Sequence, residues 1–576
     1  MANLLEKASI LITPTAYSDG KIHSAKPIQS LSAEKVVNGD FATDSDWVKE
    51  VGITISGGKA NFSGNNNASL RQNGIIIVGK TYLVKFEITD YTSGNLDVNI
   101  GGSTRQGQFS GEGFYEVSNI CIGQGNLFFQ ENQSNGGFVG SITNVSVKEV
   151  IDSDLNFTRG SGATRTNAQG LIENVDTLGS EAVVNGDFAT DSSWAKGGGA
   201  TISDGKANII GDGSGFTSVS QNGVFTSGKQ YQVKVDVVIN SGLGLKFQDG
   251  ANNENIGFAT TSGTYTFNFT ATGNSTISIG RRTGGTPFNS SIDNISVKEI
   301  IDVTNIPRIN YKDGVGSWLI EPQSTNLYLN SALIVTQNIT TLASSYTVSF
   351  YGTGTITFTG TYSGSLTGTG VNDRVRITFT TTSGTLTSTV SGTVTQGQSE
   401  EGNITSYIPT NGSVQTRLEE TASRSGLGDL IDSTQGVLYA EMSALANVNI
   451  QRTLSISDGT HSNSVKLGFS KDVTDYKIFA NVRLGGVSQV FLTFNLGNVE
   501  PTFKKCAIKY KQNDFSLWVN GIEVATSTIG STFTLNTLNY FAFNRGNGGQ
   551  IFEGDIKSLA IFPILTDEEL GCLTTE

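Results

Sequence analysis

The chain has 576 residues, 36% hydrophobic and only 15% charged, and 51 Asp and Glu against 38 Lys and Arg give a net charge of −13. No basic stripe is present, which argues against a nucleic-acid partner, and no run of about 18 apolar residues occurs, which argues against membrane insertion. Two His and three Cys (Cys121, Cys506, Cys572) without close spacing offer neither a zinc site nor a disulfide framework.

The N-terminus, MANLLEKASILITPTAYSDGK, lacks the basic and apolar regions of a secretory leader, so none is expected. The dominant feature is an internal repeat. VVNGDFATDSDW at 36–47 returns as VVNGDFATDSSW at 183–194, differing only at Asp46 against Ser193. SITNVSVKEVID at 141–152 returns as SIDNISVKEIID at 291–302. A unit of roughly 115–120 residues is too long for a solenoid repeat and suits one complete β-sandwich. Within the units, YLVKFEI (82–88) and YQVKVDV (231–237) alternate apolar and polar residues, the period-two mark of a half-buried strand. Each unit is therefore read as an antiparallel jelly roll, over 34–150 and 181–302.

Between and after them lie two segments, 151–180 and 303–332, and then a Thr/Ser/Gly-rich stretch, 333–430, whose β-branched alternation predicts a small β-sandwich. Residues 431–576 read as a further sandwich. KYKQNDFSLWVNGIEV is a hairpin plan with turns at Asn513-Asp514 and Asn520-Gly521, and Thr566 with Glu569 forms a capping box before a short helix. The fold class expected is all-β, a multidomain chain of antiparallel β-sandwiches.

Several strings carry resemblances. DLNFTRGSGATRTNAQGLIENV (154–175), PRINYKDGVGSWLIEPQSTNL (307–327) and TSYIPTNGSVQTR (405–417) resemble a motif of bacteriophage virion proteins, here interrupted by the second jelly roll. The resemblance implies a small β scaffold built from separated stretches and an N-terminal arm (1–33) docking on other virion proteins. FEGDIKSLAIFPILTDEEL resembles the closing segment of concanavalin A-like, laminin-G-like lectin domains. The repeats resemble carbohydrate-binding modules of the family 4, 9 and 22 type, which open on an NGxFE strand. That likeness implies a structural Ca²⁺ held by Asn38, Asp40 and Asn144 in the first unit and by Asn185, Asp187, Asp293 and Asn294 in the second. The family glutamate is replaced by Ala42 and Ala189. The alternative is that Asn-Gly-Asp makes a tight turn that caps its own backbone.

Catalytic chemistry is sparse. His23 sits in the arm and His461 follows a turn, so neither suggests a triad. Glu553 and Asp555 share a strand face but sit in the closing segment, and are expected to be solvated or turn carboxylates. Trp47 and Trp194 recur in register and are read as core. The pool for sugar-stacking aromatics is Tyr91, Phe114, Tyr115, Phe128, Phe129, Phe138, Phe247 and Phe288. Together these features lead to the expectation of a non-enzymatic fibre or adhesin of a phage virion that binds host surface polysaccharide. The virion family implies assembly in the host cytoplasm, action outside it, and a homo-oligomer, most often a trimer. The alternatives are a purely structural or capsid-decoration protein and a glycan-degrading tail enzyme.

Overall fold

The structure, a computed structural model, describes residues 2–575 except 28–29, 66, 102–104, 106, 133–136, 251–254, 273–274, 283–285, 446–450, 473–474 and 498–501. It is all-β, with antiparallel sheets packed face to face, and the described residues hold two short helices, Ala2–Leu5 and Asp567–Thr574. The second carries the expected capping box between Thr566 and Glu569. The chain divides into two compact units: 161–163 with 174–306, and the rest.

The smaller unit is the second jelly roll. Its six-stranded sheet runs Thr201–Ser203, Lys206–Gly211, Phe288–Asp302, Gln230–Ser241, Gly263–Thr270, with Thr177–Glu181 added on Phe288–Asp302. The facing sheet runs Ala195–Gly197, Ser218–Gln221, Ile277–Arg281, Leu245–Asp249, Asn255–Ala259. The alternation in YQVKVDV does what it predicts: Val233, Val235 and Val237 enter the core against Val219, Phe247 and Ile279. Strand Thr177–Glu181, expected in the scaffold, belongs to this jelly roll because it pairs with Phe288–Asp302.

The first jelly roll repeats this plan within the larger unit. Its five-stranded sheet is Gly107–Phe109, Leu96–Ile100, Leu127–Glu131, Ser69–Gln72, Val48–Lys49. Val84, Phe86 and Ile88 from the opposite sheet meet Leu70, Val98 and Phe129 in its core.

The C-terminal sandwich departs from expectation. Its two sheets recruit the short strands Ile10–Ile12, Tyr17–Ser18, Lys21–Ile22, Leu155–Thr158, Ile309–Asn310, Ser317–Ile320 and Thr421–Arg424. Residues 1–33 are therefore no free arm, since Ile10, Ile12 and Ile22 are buried in the same core as Leu454, Leu467 and Ile508. The three scaffold stretches are likewise no separate domain. Strands of two to four residues bury too little to stand alone, and they are stable as edges of a larger sandwich. The small sandwich over 337–401 has its own core around Val348, Phe350, Ile356 and Leu386.

The strings that resemble virion proteins meet in space as a buried ionic cluster. Arg159 pairs with Glu420 at 2.7 Å, Arg308 with Glu321 at 2.9 Å and Arg417 with Glu321 at 3.0 Å, all essentially without solvent exposure. Ser406, from SYIPT, donates its backbone N–H and its hydroxyl to Glu321. Burial alone would raise the Glu321 carboxyl, but Arg417 and Arg308 outweigh it and bring it down to about 2. Buried charge is tolerated only when paired and hydrogen-bonded, and here three separate stretches, around Arg159, from Arg308 to Glu321 and from Ser406 to Glu420, supply the members.

Candidate functional site

The Asn-Gly-Asp loops come first because sequence singles them out. In each copy the Asn adopts a left-handed conformation, φ 53° at Asn38 and 56° at Asn185. Its amide closes the following loop: Asn38 Nδ2 donates to the carbonyls of Thr43 and Ser45, and Asn38 Oδ1 accepts from the Thr43 N–H. Asn185 repeats this with Thr190 and Ser192. The Gly is fixed by close approach, for a Cβ on Gly39 would lie 2.0 Å from the Val145 carbonyl oxygen, and one on Gly186 2.1 Å from that of Ile295. Asp40 and Asp187 accept from the N–H of Ala42 and Ala189. Asn144 donates to Glu87, Asn294 donates to Asp236, and Asp293 accepts from the Asn294 N–H. The asparagines spend their oxygens or present N–H groups, so this arrangement does not fit a Ca²⁺ cage, which needs converging oxygens. Among the described residues no group of three or more His, Cys, Asp or Glu side chains could hold a metal ion.

Trp47 and Trp194 are core residues, 6% and 5% exposed, each donating its indole N–H to the carbonyl of the loop Asn.

The other candidates are engaged. His23 lies 2.7 Å from Asp154, and the Ser24 hydroxyl bonds the carboxylate rather than the imidazole, so no nucleophile–base pair forms. Glu553 pairs with Arg452 at 2.8 Å. Asp555 is not solvated as expected. It accepts from the Ser317 hydroxyl, burial raises its carboxyl, and it lines a cavity of about 440 Å³ with Arg165, Asn310, Arg374 and Ser406. Glu321 borders the same cavity, but its oxygens are spent on Ser406 and two arginines, which leaves it unsuited to act as nucleophile or base.

The two jelly rolls can be compared position by position, because their registers match. On the six-stranded sheet some outward residues of the two central strands are retained, Lys85 and Lys234, Glu87 and Asp236, Asn144 and Asn294, Ser146 and Ser296, whereas on its edge strand Phe114 corresponds to Thr264, Glu116 to Thr266 and Ser118 to Asn268. On the five-stranded sheet Leu127 and Phe129 face inward, as Ile277 and Ile279 do in the second copy, while inward Ile100 is replaced by Asp249. Its outward residues do not persist. Arg71 corresponds to Ser220, Phe128 to Ser278, Gln130 to Gly280, Asp97 to Lys246 and Gln108 to Phe258. Directly opposed residues share a face, so each set forms one surface.

In the first jelly roll that surface is built. Asp97 is held by Asn132 at 2.9 Å and Arg105 at 2.6 Å. Phe128 lies half-buried between Arg71 and Asn99, and the buried Asn99 Oδ1 has no hydrogen-bond partner among the described residues. In the second jelly roll Phe258 sits at the sheet edge, with the Arg282 guanidinium 4.5 Å from its ring centroid.

Of the aromatic pool, Phe129, Phe138, Phe247 and Phe288 are buried in the cores, and the hydroxyls of Tyr91 and Tyr115 bond nearby carbonyls. Phe128 faces outward on the five-stranded sheet, and Phe114, 80% exposed, faces outward on the six-stranded sheet, where the second copy has Thr264. Phe258 was not in the pool. Its signal was available in principle as an aromatic in the second copy aligned with a polar residue in the first.

No protein-family pattern matches the chain, and no curated protein does. Among solved structures, the chain is similar to the Ruminococcus gnavus IT-sialidase CBM40, at 19% identity over 25% of this chain and 84% of that one, with a TM-score of 0.21. It is also similar to the CBM22-1–CBM22-2 tandem of Paenibacillus barcinonensis Xyn10C, at 7% identity over 48% of this chain and 99% of that one, with a TM-score of 0.22. At these scores neither likeness bears on function.

Proposed function

We propose that the chain is a non-enzymatic structural protein of a bacteriophage virion, of the fibre or adhesin type, that binds host surface glycans through the five-stranded sheets of its jelly rolls. The observation that supports glycan binding is the outward surface of the five-stranded sheet in the first jelly roll. The half-buried Phe128 beside the unpaired Asn99 oxygen offers an apolar platform next to a hydrogen-bond acceptor, the pairing a sugar ring requires. The virion assignment rests on the likeness of the scaffold strings to virion proteins.

A glycan array probed with the full chain and with an Arg71→Ala, Phe128→Ala variant tests the binding role. The variant is expected to lose one class of glycan and keep another, the latter being read by the second jelly roll. An unchanged profile, or no glycan bound by the unmodified chain, moves the assignment to a purely structural virion part. Immunogold imaging of phage particles tests the location, and no particle carrying label would overturn it.

A further inference from the structure

The outer face of the nine-stranded sheet in the C-terminal sandwich carries a group of cations that nothing in the fold explains. Lys466 on strand Ser464–Lys471 is 2% exposed, and its Nζ lies 2.7 Å from His461 Nδ1. Arg483 on the neighbouring strand Tyr476–Leu484 opposes Ser464, two residues from Lys466 on the same face. Arg545 closes the group from the loop that follows strand Tyr540–Ala542, its Nε bonded to Asn547. Arg483 donates to the Gly486 carbonyl, and its buried Nε has no hydrogen-bond partner among the described residues. Among the described residues no carboxylate is in ion-pair contact with any of these cations. Burial, together with Arg483 and Arg545, pushes the Lys466 ammonium down to about 7. Burial and the three cations push the His461 imidazole down to about 4. A fold that only needed packing here would place apolar side chains, because uncompensated buried cations cost free energy.

The same face supplies a second element. Lys466 opposes Asn481, and Asn481 opposes Phe491, so the three lie in a row across adjacent strands. Phe491 is 55% exposed, and its ring stacks on that of buried Phe479 with centroids 6.1 Å apart. Asn481 is turned away from ligand duty, its amide bonding Ser488 and the Val490 carbonyl. The row therefore sets an exposed aromatic plate beside a cluster of cations without a carboxylate partner among the described residues.

We propose that this face binds an acidic saccharide, with the sugar ring on Phe491 and its carboxylate held by Lys466, Arg483 and Arg545. A guanidinium fork matches a carboxylate in plane, and an aromatic face packs on sugar C–H groups. The site is built from other residues than the jelly-roll faces and does not depend on them.

Titration calorimetry of the full chain with a galacturonate tetrasaccharide tests it, alongside a neutral galactose tetrasaccharide and galactose 6-phosphate. The galacturonate is expected to bind at least about tenfold more tightly than the neutral sugar, and more weakly as salt is raised. Phe491→Ala and Arg483→Gln, both outward positions, are each expected to weaken it about tenfold with the melting temperature unchanged. Arg71→Ala with Phe128→Ala leaves this binding intact, so failure of the jelly-roll reading and failure of this one are separable. Equal affinity for acidic and neutral sugars, or undiminished binding by both folded variants, overturns the proposal. Tighter binding of the phosphate sugar than of the galacturonate overturns the assignment to a carboxylate.

Discussion

Arg308 and Glu420 lie 112 residues apart in sequence and meet as a two-toothed ion pair, Nε on Oε1 at 2.9 Å and Nη2 on Oε2. Glu420 also receives Arg159 and the Glu321 N–H, so one carboxylate ties together the end of the first insertion, the return from the second and the exit from the small sandwich. The chain thus returns from the first insertion, from the second and from the small sandwich to one buried point. Removing one member leaves guanidinium charge buried without its partner, which costs about 3–5 kcal/mol.

Glu420→Gln is accordingly expected to lower the unfolding free energy of the larger unit, read from urea denaturation, by that amount. The second jelly roll, with its own core, keeps its transition. Proteolysis near 161–174 should accelerate in step. A loss below about 1 kcal/mol would mean the cluster is dispensable packing.

Glu131 gives a pH prediction. It is fully buried in the first jelly roll, and burial raises its carboxyl to about 7 from an unfolded value of 4.5. Between those values the folded state holds a proton that the unfolded state has released, so stability falls as pH rises from about 4.5 to about 7 and levels off above. The loss is on the order of 2 kcal/mol. Glu131→Gln should flatten the denaturation midpoint across this window, and an unchanged slope in that variant would remove Glu131 as its source.

The sandwiches were legible because period-two alternation in YLVKFEI and YQVKVDV directly reports which side chains face the core. The repeat even reported Trp47 and Trp194 as core, since packing is what two copies must share. The scaffold was not legible as it stands. Ile10–Ile12 and Ser317–Ile320 are too short to show a period, and their partner, Gly554–Phe562, lies hundreds of residues away. The strings around Arg159, Arg308 and Arg417 were visible as a pattern, yet nothing local reveals that isolated arginines and glutamates converge. The cations at Lys466 and Arg483 escaped notice for the same reason: they align only through strand register.

Lys466 titrates in the opposite direction. Its folded value is about 7, against 10.5 unfolded, so between them the unfolded chain binds a proton that the folded chain has lost. Stability from this group therefore rises as pH goes from about 7 to about 10.5 and is flat below. Subtracting the Lys466→Met curve isolates it from other lysines. The variant should be more stable than the parent at pH 6 by about 2–4 kcal/mol, with the gap closing above pH 10. A gap that does not depend on pH would show that the cluster is already neutralised.

The asparagine loops separate a turn from a metal site. If Asn38 and Asn185 act only by closing the loops through Thr43, Ser45, Thr190 and Ser192, replacing either by Ala removes hydrogen bonds to the backbone and a residue that favours positive φ. The cost should be about 1–2 kcal/mol, and it should be the same in calcium and in chelator. A bound ion would instead stabilise the folded state by about 2.7 kcal/mol at a hundredfold excess over its dissociation constant, and the gain would vanish with Asn38→Ala. Thermal unfolding of parent and variants with and without calcium distinguishes these. Equal midpoints for the parent in both buffers are expected, because the amide groups at the loop already have their partners. A calcium-dependent rise that Asn38→Ala abolishes would restore the metal, and would require the Asn38 side chain to turn its oxygen away from the Thr43 N–H.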